Sequence, residues 1–405
     1  MIQSTMLDLF KISLIFFLML GLLRRKIGIG YVMLSASGAL FLLYHMSLSD
    51  ILMTAIKVVT SSVAIKLLLS LSLIRIFELV LREQNILNAM MATIMNSSRS
   101  RRAVIISMPL LIGTLPSLGG AYFSAPMVEE ATKDTKMSLE EKAFVNYWFR
   151  HPWELILPLY PGIILASAVS HIPLNRLALA NAAGAAALVL TGFIYGMRDV
   201  GHSLRNRNEP YSLESLRSWM NFLPIMVVMI LVIIVGIELH YALLLVLIPI
   251  FIFYRYSSQQ IFAALRHGFS WDVLVMIAGI ILFKETMEAS GSVRNLGRVF
   301  IEHGIPLVPV FCLLPFLAGL LTGHTVGFVG STFPLLISIG DPVPLSLLSL
   351  AFASGFVGVL LSPVHLCLIL TREYFKADLS GIYRKTVPAG AIVFTIVIIQ
   401  YLFMQ

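Results

Sequence analysis

Apolar stretches recur along the whole chain and are separated by short runs of charged residues. A helix needs roughly 20 apolar residues to cross a bilayer, and most of these stretches approach that length. They predict an all-α polytopic membrane protein with about ten transmembrane helices. The predicted spans are 7–23, 29–46, 51–81, a broken span that ends near 169, 177–197, 221–236, 242–254, 273–283, 347–370 and 387–403.

Two further apolar stretches, 103–128 and 307–339, contain prolines and glycines in their middle parts. A proline removes a backbone donor and clashes with the preceding turn, so a straight span is disfavoured in both stretches. Each stretch is therefore predicted to form a re-entrant hairpin, which enters and leaves the membrane on the same side. Small polar residues are expected at the two hairpin tips.

The fourth span reads Asn-Tyr-Trp-Phe-Arg-His-Pro-Trp-Glu over residues 146–154 and is followed by two more prolines. Broken backbone at membrane depth is tolerated only where it packs in protein or lines a wet cavity. The ionisable side chains of Arg150, His151 and Glu154 therefore predict a polar site inside the bundle. The alternative is an interfacial anchor, because Arg and Trp favour membrane surfaces.

The two halves of the chain have the same layout of five spans and one hairpin. An odd number of spans inverts one half relative to the other. This predicts two inverted-topology repeats, 1–197 and 218–405, joined by a cytoplasmic linker, 198–217. Basic residues collect in cytoplasmic loops, and here they do so if both termini are extracytoplasmic. We expect a multi-pass protein of the cell inner membrane. Opposed hairpins and broken helices are typical of a secondary transporter.

The composition supports a membrane class, since 58% of the residues are hydrophobic and 12% are charged. An ordinary soluble domain has about 25% charged residues. Lys and Arg (29) outnumber Asp and Glu (21), but basic loops set membrane topology, so no nucleic-acid partner is expected. Cys312 and Cys367 both lie in apolar runs, which argues against a disulfide framework and a cysteine-based metal site.

The sequence lacks the His-Glu-x-x-His, Gly-x-Ser-x-Gly and P-loop patterns. A zinc hydrolase, a serine hydrolase and an ATP-driven pump are therefore not expected. We predict no enzyme activity and no cofactor other than a coupling proton or sodium ion. The alternatives are an intramembrane enzyme or lipid-handling protein of another kind, or an anion channel.

Helix N-termini at broken segments carry partial positive charge, so the predicted substrate is a small anionic solute. The candidate contacts are hydroxyls, an amide, a guanidinium and glycine N–H groups. They are Ser117, Gly119, Gly120, Ser124, Asn146, Arg150, Thr322, Gly323, Thr325, Ser331 and Thr332. Two alternatives are open. Small residues also let helices pack closely, and Arg150 can pair with Glu154 one turn away.

Ionisable residues within a membrane are functional candidates by default. Glu154, His324 and His365 are predicted to carry a coupling proton, which is favoured over sodium. Both histidines are expected to be buried, and their alternative role is a structural hydrogen bond. Lys66, in the third span, is expected either to face the cavity or to form a pair between the two subdomains.

The runs at 116–126 (Pro-Ser-Leu-Gly-Gly-Ala-Tyr-Phe-Ser-Ala-Pro), 146–154 and 158–161 (Pro-Leu-Tyr-Pro) resemble a prokaryotic membrane family called domain of unknown function 401. The resemblance covers essentially the whole chain. That family is grouped with the ion-transporter superfamily of citrate, gluconate, dicarboxylate and arsenite carriers. The resemblance implies inverted repeats, a homodimer formed through scaffold helices, and a mobile domain that holds both hairpins. It names no substrate, and the Ser-Asn-Thr motifs of sodium–dicarboxylate carriers are not evident.

Overall fold

The computed structural model describes residues 2–25, 27–97, 100–116, 120–198, 200, 218–291, 306–339 and 342–405. Within these ranges the chain is helical and forms no β-strand. The helices of the first half are α1 (Ile2–Arg24), α2 (Ile29–Leu43), α3 (Leu48–Thr60), α4 (Ser62–Glu83), α5 (Ile86–Ser97), α6 (Arg101–Ile112), α7 (Gly120–Ala131), α8 (Leu139–Trp148), α9 (Pro152–Ile156), α10 (Pro161–Ser170), α11 (Leu174–Ala180) and α12 (Ala182–Gly196).

The second half begins with a 3₁₀ turn, Trp219–Phe222, that leads into α13 (Leu223–Met229). A π-helical turn, Ile230–Ile234, follows α13 directly. The remaining helices are α14 (Leu239–Phe253), α15 (Ser258–Gly268), α16 (Trp271–Ala289), α17 (Leu307–Thr322), α18 (Thr325–Ile339), α19 (Leu345–Leu360), α20 (Leu366–Phe375) and α21 (Leu379–Phe403).

Among the described residues, three helical stretches are long and apolar enough to cross a membrane: Leu139–Ser170, Ser258–Ala289 and Leu379–Phe403. A fourth candidate is α11 with α12, which meet at a bend of 41°. Shorter apolar helices of 10–17 residues make up much of the rest. Large apolar side chains face outward, such as Phe253 at 80% exposure. These apolar surfaces indicate a membrane-embedded protein.

The predicted span 51–81 is two helices, because the chain breaks at Ser61. The Ser61 side chain accepts from the N–H of Ala64 and so caps α4, as serine does at many helix starts. In α3, which precedes this break, only Thr54 and Val58 are buried. The second half of the chain has the same order of helices, since the amphipathic helix α15 is followed by the longer apolar helix α16.

Both predicted hairpins are pairs of helices packed on each other, α6 with α7 and α17 with α18. In the second pair the turn is made by Gly323, whose φ of 70° is in the left-handed region. Glycine adopts this conformation without steric cost. The turn of the first pair includes residues 117–119, which lie outside the described ranges.

The two halves of the chain make matching contacts with each other. Helix α4 packs against α14 and α15, and correspondingly α16 packs against α2 and α3. Helix α10 packs against α18, the second arm of the second hairpin, whereas α20 packs against α7, the second arm of the first hairpin. The elements around both hairpins are therefore shared between the halves.

Several helix pairs are so close that their backbones touch. A Cβ atom on Gly319 of α17 would lie 2.1 Å from the carbonyl oxygen of Gly355 in α19. A Cβ on Gly279 of α16 would lie 2.3 Å from the carbonyl oxygen of Gly30 in α2. Small residues permit this approach in membrane helices, where packing rather than water drives association. These glycines fix the separation of the two helix pairs.

Broken helices leave carbonyl groups without an intrahelical partner, and inside a membrane each such group costs several kcal/mol unless it is satisfied. Here side chains from neighbouring helices donate to carbonyls near the breaks. The pairs are Tyr147 to Leu360 (2.9 Å), Asn181 to Leu155 (3.2 Å), Tyr160 to Gly113 (2.5 Å), Tyr383 to Leu361 (3.0 Å) and Ser362 to Leu320 (2.6 Å). Most of these donors come from another part of the chain, so the breaks are held by tertiary contacts.

Candidate functional site

Two helix breaks meet in the interior of the protein. The first separates α8 from α9 and contains His151, and the second separates α19 from α20 and contains His365. Both side chains are buried, at 1% and 5% exposure. Their Nε2 atoms are 3.1 Å apart. The two halves of the chain therefore contact each other through a pair of histidines.

Hydrogen bonding determines how the neutral pair is protonated. The Nδ1 atom of His151 lies 2.6 Å from the carbonyl oxygen of Tyr147. Because a carbonyl oxygen only accepts, Nδ1 of His151 carries the hydrogen and its Nε2 is an acceptor. His365 must then donate from Nε2. Its Nδ1 atom is left as a buried lone pair with no hydrogen-bond partner in the described structure.

Arg150 lies beside this pair and is 4% exposed. Its Nε and Nη1 atoms are buried and have no hydrogen-bond partner in the described structure. A Cβ atom on Gly113, at the end of α6, would lie 2.3 Å from the Arg150 carbonyl oxygen. Glycine at position 113 therefore allows the first hairpin to approach the break. An unpaired guanidinium inside a protein is costly unless another group satisfies it.

Glu154 also lies near His151, with Oε1 3.8 Å from the Nε2 atom of that ring. Its side chain is 13% exposed. The carboxylate is within hydrogen-bonding reach of the Thr325 hydroxyl, at the first residue of α18. Thr325 also packs on Gly162 of α10, where a Cβ atom would lie 2.6 Å from the Thr325 Cβ. Glu154 therefore connects the broken fourth span to the second hairpin.

Asn146 joins three elements next to the histidine pair. Its Nδ2 atom donates to the carbonyl oxygen of Ala121 in the first hairpin, at 3.1 Å, and to the Thr371 hydroxyl in α20, at 3.0 Å. Its Oδ1 atom is buried and has no partner in the described structure. The amide thus ties α8 to α7 and α20 and leaves one acceptor free.

Three of the predicted hydroxyl contacts bond to the backbone of their own helix. Ser124 donates to the Gly120 carbonyl (3.3 Å), Ser331 to the Gly327 carbonyl (2.7 Å) and Thr332 to the Phe328 carbonyl (2.7 Å). All three hydroxyl side chains are buried. Ser331 lines a small apolar gap with residues of α1, α2 and α16. The structure therefore places Ser331 beside these helices, where its neighbours are apolar.

The remaining predicted residues lie at the hairpin tips. Gly120 begins α7, and Gly323 ends α17. The Thr322 hydroxyl lies 3.4 Å from the His324 carbonyl oxygen. His324 Nδ1 accepts from the N–H of Gly327 at 3.0 Å, and its side chain is exposed rather than buried as expected. Its place at the tip, where the chain turns, explains this exposure. The predicted residues Ser117 and Gly119 lie outside the described ranges.

Sequence reasoning included His151 in the polar motif but gave it no role, and it gave no role to Tyr147, Thr371 or Cys367. Thr371 and Cys367 contact the site only because the two halves fold together, whereas Tyr147 lies one helical turn before His151 and contacts it through its own carbonyl oxygen. One signal was present, since Cys367 follows His365 by two residues at the start of α20. The expectation of no cysteine-based metal site rested on the apolar surroundings along the chain, which do not reveal the neighbours in space.

Two helix N-termini lie close to the cluster. Helix α10 begins after Tyr160 and α20 begins after His365, and neither start has a side-chain cap. The first turn of α10, at Gly162, touches the first residue of α18, Thr325. The first N–H groups of a helix have no intrahelical partner and carry partial positive charge. Arg150 adds a full positive charge beside the histidine pair.

A separate cavity of about 460 Å³ lies between α5, α6, α9 and α13. Its lining is almost entirely leucine, isoleucine, methionine, phenylalanine and tryptophan. The two hydroxyls present, of Ser107 and Thr114, both bond to nearby backbone carbonyls. This cavity therefore offers no group that would hold an ion.

The profile of a protein family, described as "Protein of unknown function (DUF401)", matches residues 2–404. A comparison with curated proteins found no match.

Proposed function

Since the chain belongs to the DUF401 family of proteins of unknown function, we propose a function from its own site: secondary active transport of a small anionic solute. The solute would move by alternating access and be coupled to an ion, with a proton favoured over sodium. The observation that carries this proposal is Arg150, a buried guanidinium whose Nε and Nη1 atoms have no partner among the residues that the structure describes.

Arginine presents its donors in a planar fork that matches carboxylate and phosphate oxygens. In this site the fork lies next to helix starts, which add N–H donors and partial positive charge. An anion bound here would satisfy the open positions of Arg150 and so offset the cost of burying the charge. Thr325, at the start of α18, and Asn146 are the polar neighbours that we assign to substrate contact. The open position of Asn146 is its amide oxygen, which only accepts, so it would contact a donor group of the solute and not its anionic oxygens.

The matched contacts between halves support an inverted repeat of about ten spans and two re-entrant hairpins. In inverted-repeat carriers, broken helices and hairpins from both repeats converge at the binding site. The same convergence is proposed here for α8–α10, α19–α20 and the hairpins, with α10 on α18 and α20 on α7.

Contacts between distant residues support the predicted order of the spans. Lys66, in the third span, forms a 2.6 Å ion pair with Glu238, in a loop assigned to the outer side, which favours the pairing alternative for Lys66. On the side assigned to the cytoplasm, Tyr374 donates to Glu129 at 2.7 Å. Neither contact distinguishes the outside from the cytoplasm, and the orientation that we propose, extracytoplasmic termini in an inner-membrane protein, comes from the distribution of basic residues among the loops. We further propose a homodimer formed through the scaffold helices.

Glu154 is the group that we assign to proton coupling. An ionised carboxylate next to the site would repel a substrate anion, so proton and substrate would bind with positive coupling. The other two candidates have local roles, since His324 Nδ1 accepts from a backbone N–H and His365 bonds to His151.

The test of anion binding compares wild type with Arg150→Lys, which keeps the charge but loses the planar fork. Hydrogen bonds to charged groups contribute about 1.5–3 kcal/mol each, so the variant should bind roughly 10- to 150-fold more weakly. Organic and inorganic anions would be screened by the rise in melting temperature that binding to the folded state produces. Arg82→Lys is the matched control, because Arg82 makes a half-exposed pair with Glu78.

Counterflow in liposomes then tests transport itself. A carrier exchanges internal for external labelled substrate, whereas an anion channel or an intramembrane enzyme does not. We expect counterflow with the anion that stabilises the protein and its loss in Arg150→Lys. The proposal fails if no anion stabilises wild type, or if Arg150→Lys and Arg82→Lys respond equally.

A further inference from the structure

We infer that His151, His365 and Cys367 form a binding site for a soft or borderline transition-metal cation, such as Zn²⁺. This site is additional to the anion transport proposed above. One donor atom from each of the three side chains lies within 4.8 Å of the other two. Two imidazoles and a thiolate are the donors that such ions prefer over harder cations.

The spacing of the donors suits a single ion. Zn²⁺ binds imidazole nitrogen at about 2.0–2.1 Å and thiolate sulfur at about 2.3 Å, so two donors on one ion are separated by roughly 3–4 Å. The Nε2 atoms of His151 and His365 are 3.1 Å apart, within that range. To complete the set, the sulfur of Cys367 must lie within about 3–4 Å of both nitrogens.

The surroundings orient the His151 ring as a ligand. A metal-bound histidine generally donates its other N–H to a carbonyl or carboxylate, which fixes the ring and its protonation. The Nδ1 atom of His151 does this with the Tyr147 carbonyl oxygen at 2.6 Å. Its Nε2 lone pair is therefore directed at the site before any ion binds.

Metal binding removes one proton from the site and moves another within it. The Cys367 thiol loses its proton to water when the sulfur–metal bond forms. The hydrogen on Nε2 of His365 moves to Nδ1 of the same ring, which has no partner in the described structure. A divalent ion that displaces one proton adds one positive charge. The Glu154 carboxylate, 3.8 Å from the His151 Nε2 atom, is placed to balance it and to supply or orient a fourth ligand.

Cobalt provides a direct readout, because Co²⁺ replaces Zn²⁺ and a cobalt–thiolate bond gives a charge-transfer band in the near ultraviolet. Purified full-length protein should bind one Co²⁺ per chain with this band, and Zn²⁺ should displace it. Cys367→Ser should abolish the band. Cys312→Ser removes the other cysteine, which lies in α17, and should leave the band unchanged. No band in wild type, or its loss in Cys312→Ser alone, overturns the inference.

Alkylation of the thiol gives a second measurement that does not depend on the Cys367→Ser variant folding. In Cys312→Ser the only thiol is Cys367. We expect Zn²⁺ to slow its reaction with a small maleimide by at least tenfold. His365→Gln in the same background should cancel this protection, whereas His240→Gln, in α14, should preserve it. Equal labelling rates with and without Zn²⁺ reject the site, and neither assay depends on anion binding at Arg150.

Discussion

Arg150 is buried with only part of its guanidinium satisfied. Its carbonyl oxygen packs on Gly113, while Nε and Nη1 have no hydrogen-bond partner among the described residues. An apolar side chain of similar size would avoid the desolvation cost of the charge. This cost is the reason that we propose a binding role for the side chain.

Glu154→Gln tests coupling at the residue scale. Glutamine keeps the shape and the hydrogen bond to Thr325 but is permanently neutral, like a protonated glutamate. We expect the variant to exchange bound substrate across liposomes yet to lose accumulation driven by a pH gradient. Radiolabelled uptake with and without the gradient measures both.

Glu129→Gln is the control, because Glu129 bonds to Tyr374 at a side-chain contact away from the histidine pair. It should behave as wild type. Accumulation by Glu154→Gln against a gradient would exclude Glu154 as the coupling group. Uptake by wild type driven by a sodium gradient alone would exclude proton coupling.

The sequence pointed to Arg150 and Glu154 because charged residues next to prolines in an apolar run are unusual. It could not show that His151 meets His365, since these residues are 214 positions apart and only the packed halves bring them together. The sequence also could not show which way a hydroxyl points. Ser331 has a hydroxyl that could contact a ligand, but in the structure it lines an apolar gap.

At the scale of elements, the second hairpin depends on a single glycine. Gly323 has φ 70°, and a Cβ atom there would lie 2.9 Å from the backbone nitrogen of His365. Gly323→Ala should therefore suffer both left-handed strain of about 1–2 kcal/mol and overpacking of about 1–3 kcal/mol. The free energy of unfolding in detergent, followed by thermal or denaturant melting, measures the loss.

Gly291→Ala separates these two causes. Gly291 has φ 67°, but no atom of the described residues lies within 4 Å of a Cβ atom built on it. Its alanine variant should lose only the strain contribution. If the two variants are destabilised equally, the contact between the hairpin turn and His365 contributes nothing.

The hairpins and the broken fourth span could be predicted because proline and glycine disrupt helices by local chemistry. The division of the third span into α3 and α4 was missed because apolar residues continue through it. There the Ser61 cap decides where a helix begins.

For the whole molecule, single cysteines test the proposed orientation. In a background without Cys312 and Cys367, Lys136→Cys should react from the cytoplasmic side and Arg176→Cys from the outside. Both positions are exposed. A membrane-impermeant thiol reagent, added to intact cells or to inside-out vesicles, distinguishes the sides. Labelling of both positions from one side would reject the inverted arrangement.

The backbones of α17 and α19 touch, and so do those of α2 and α16. Each of these two helix pairs should therefore behave as one rigid unit. Neither helix of a pair can slide or rotate without a main-chain collision at Gly319 or Gly279. We therefore expect relative movement to occur between these pairs and their neighbours rather than within a pair. Random mutagenesis with selection for function tests this. Functional variants should include alanine at Gly21 and Gly38, whose surroundings are open, but not at Gly319 or Gly279.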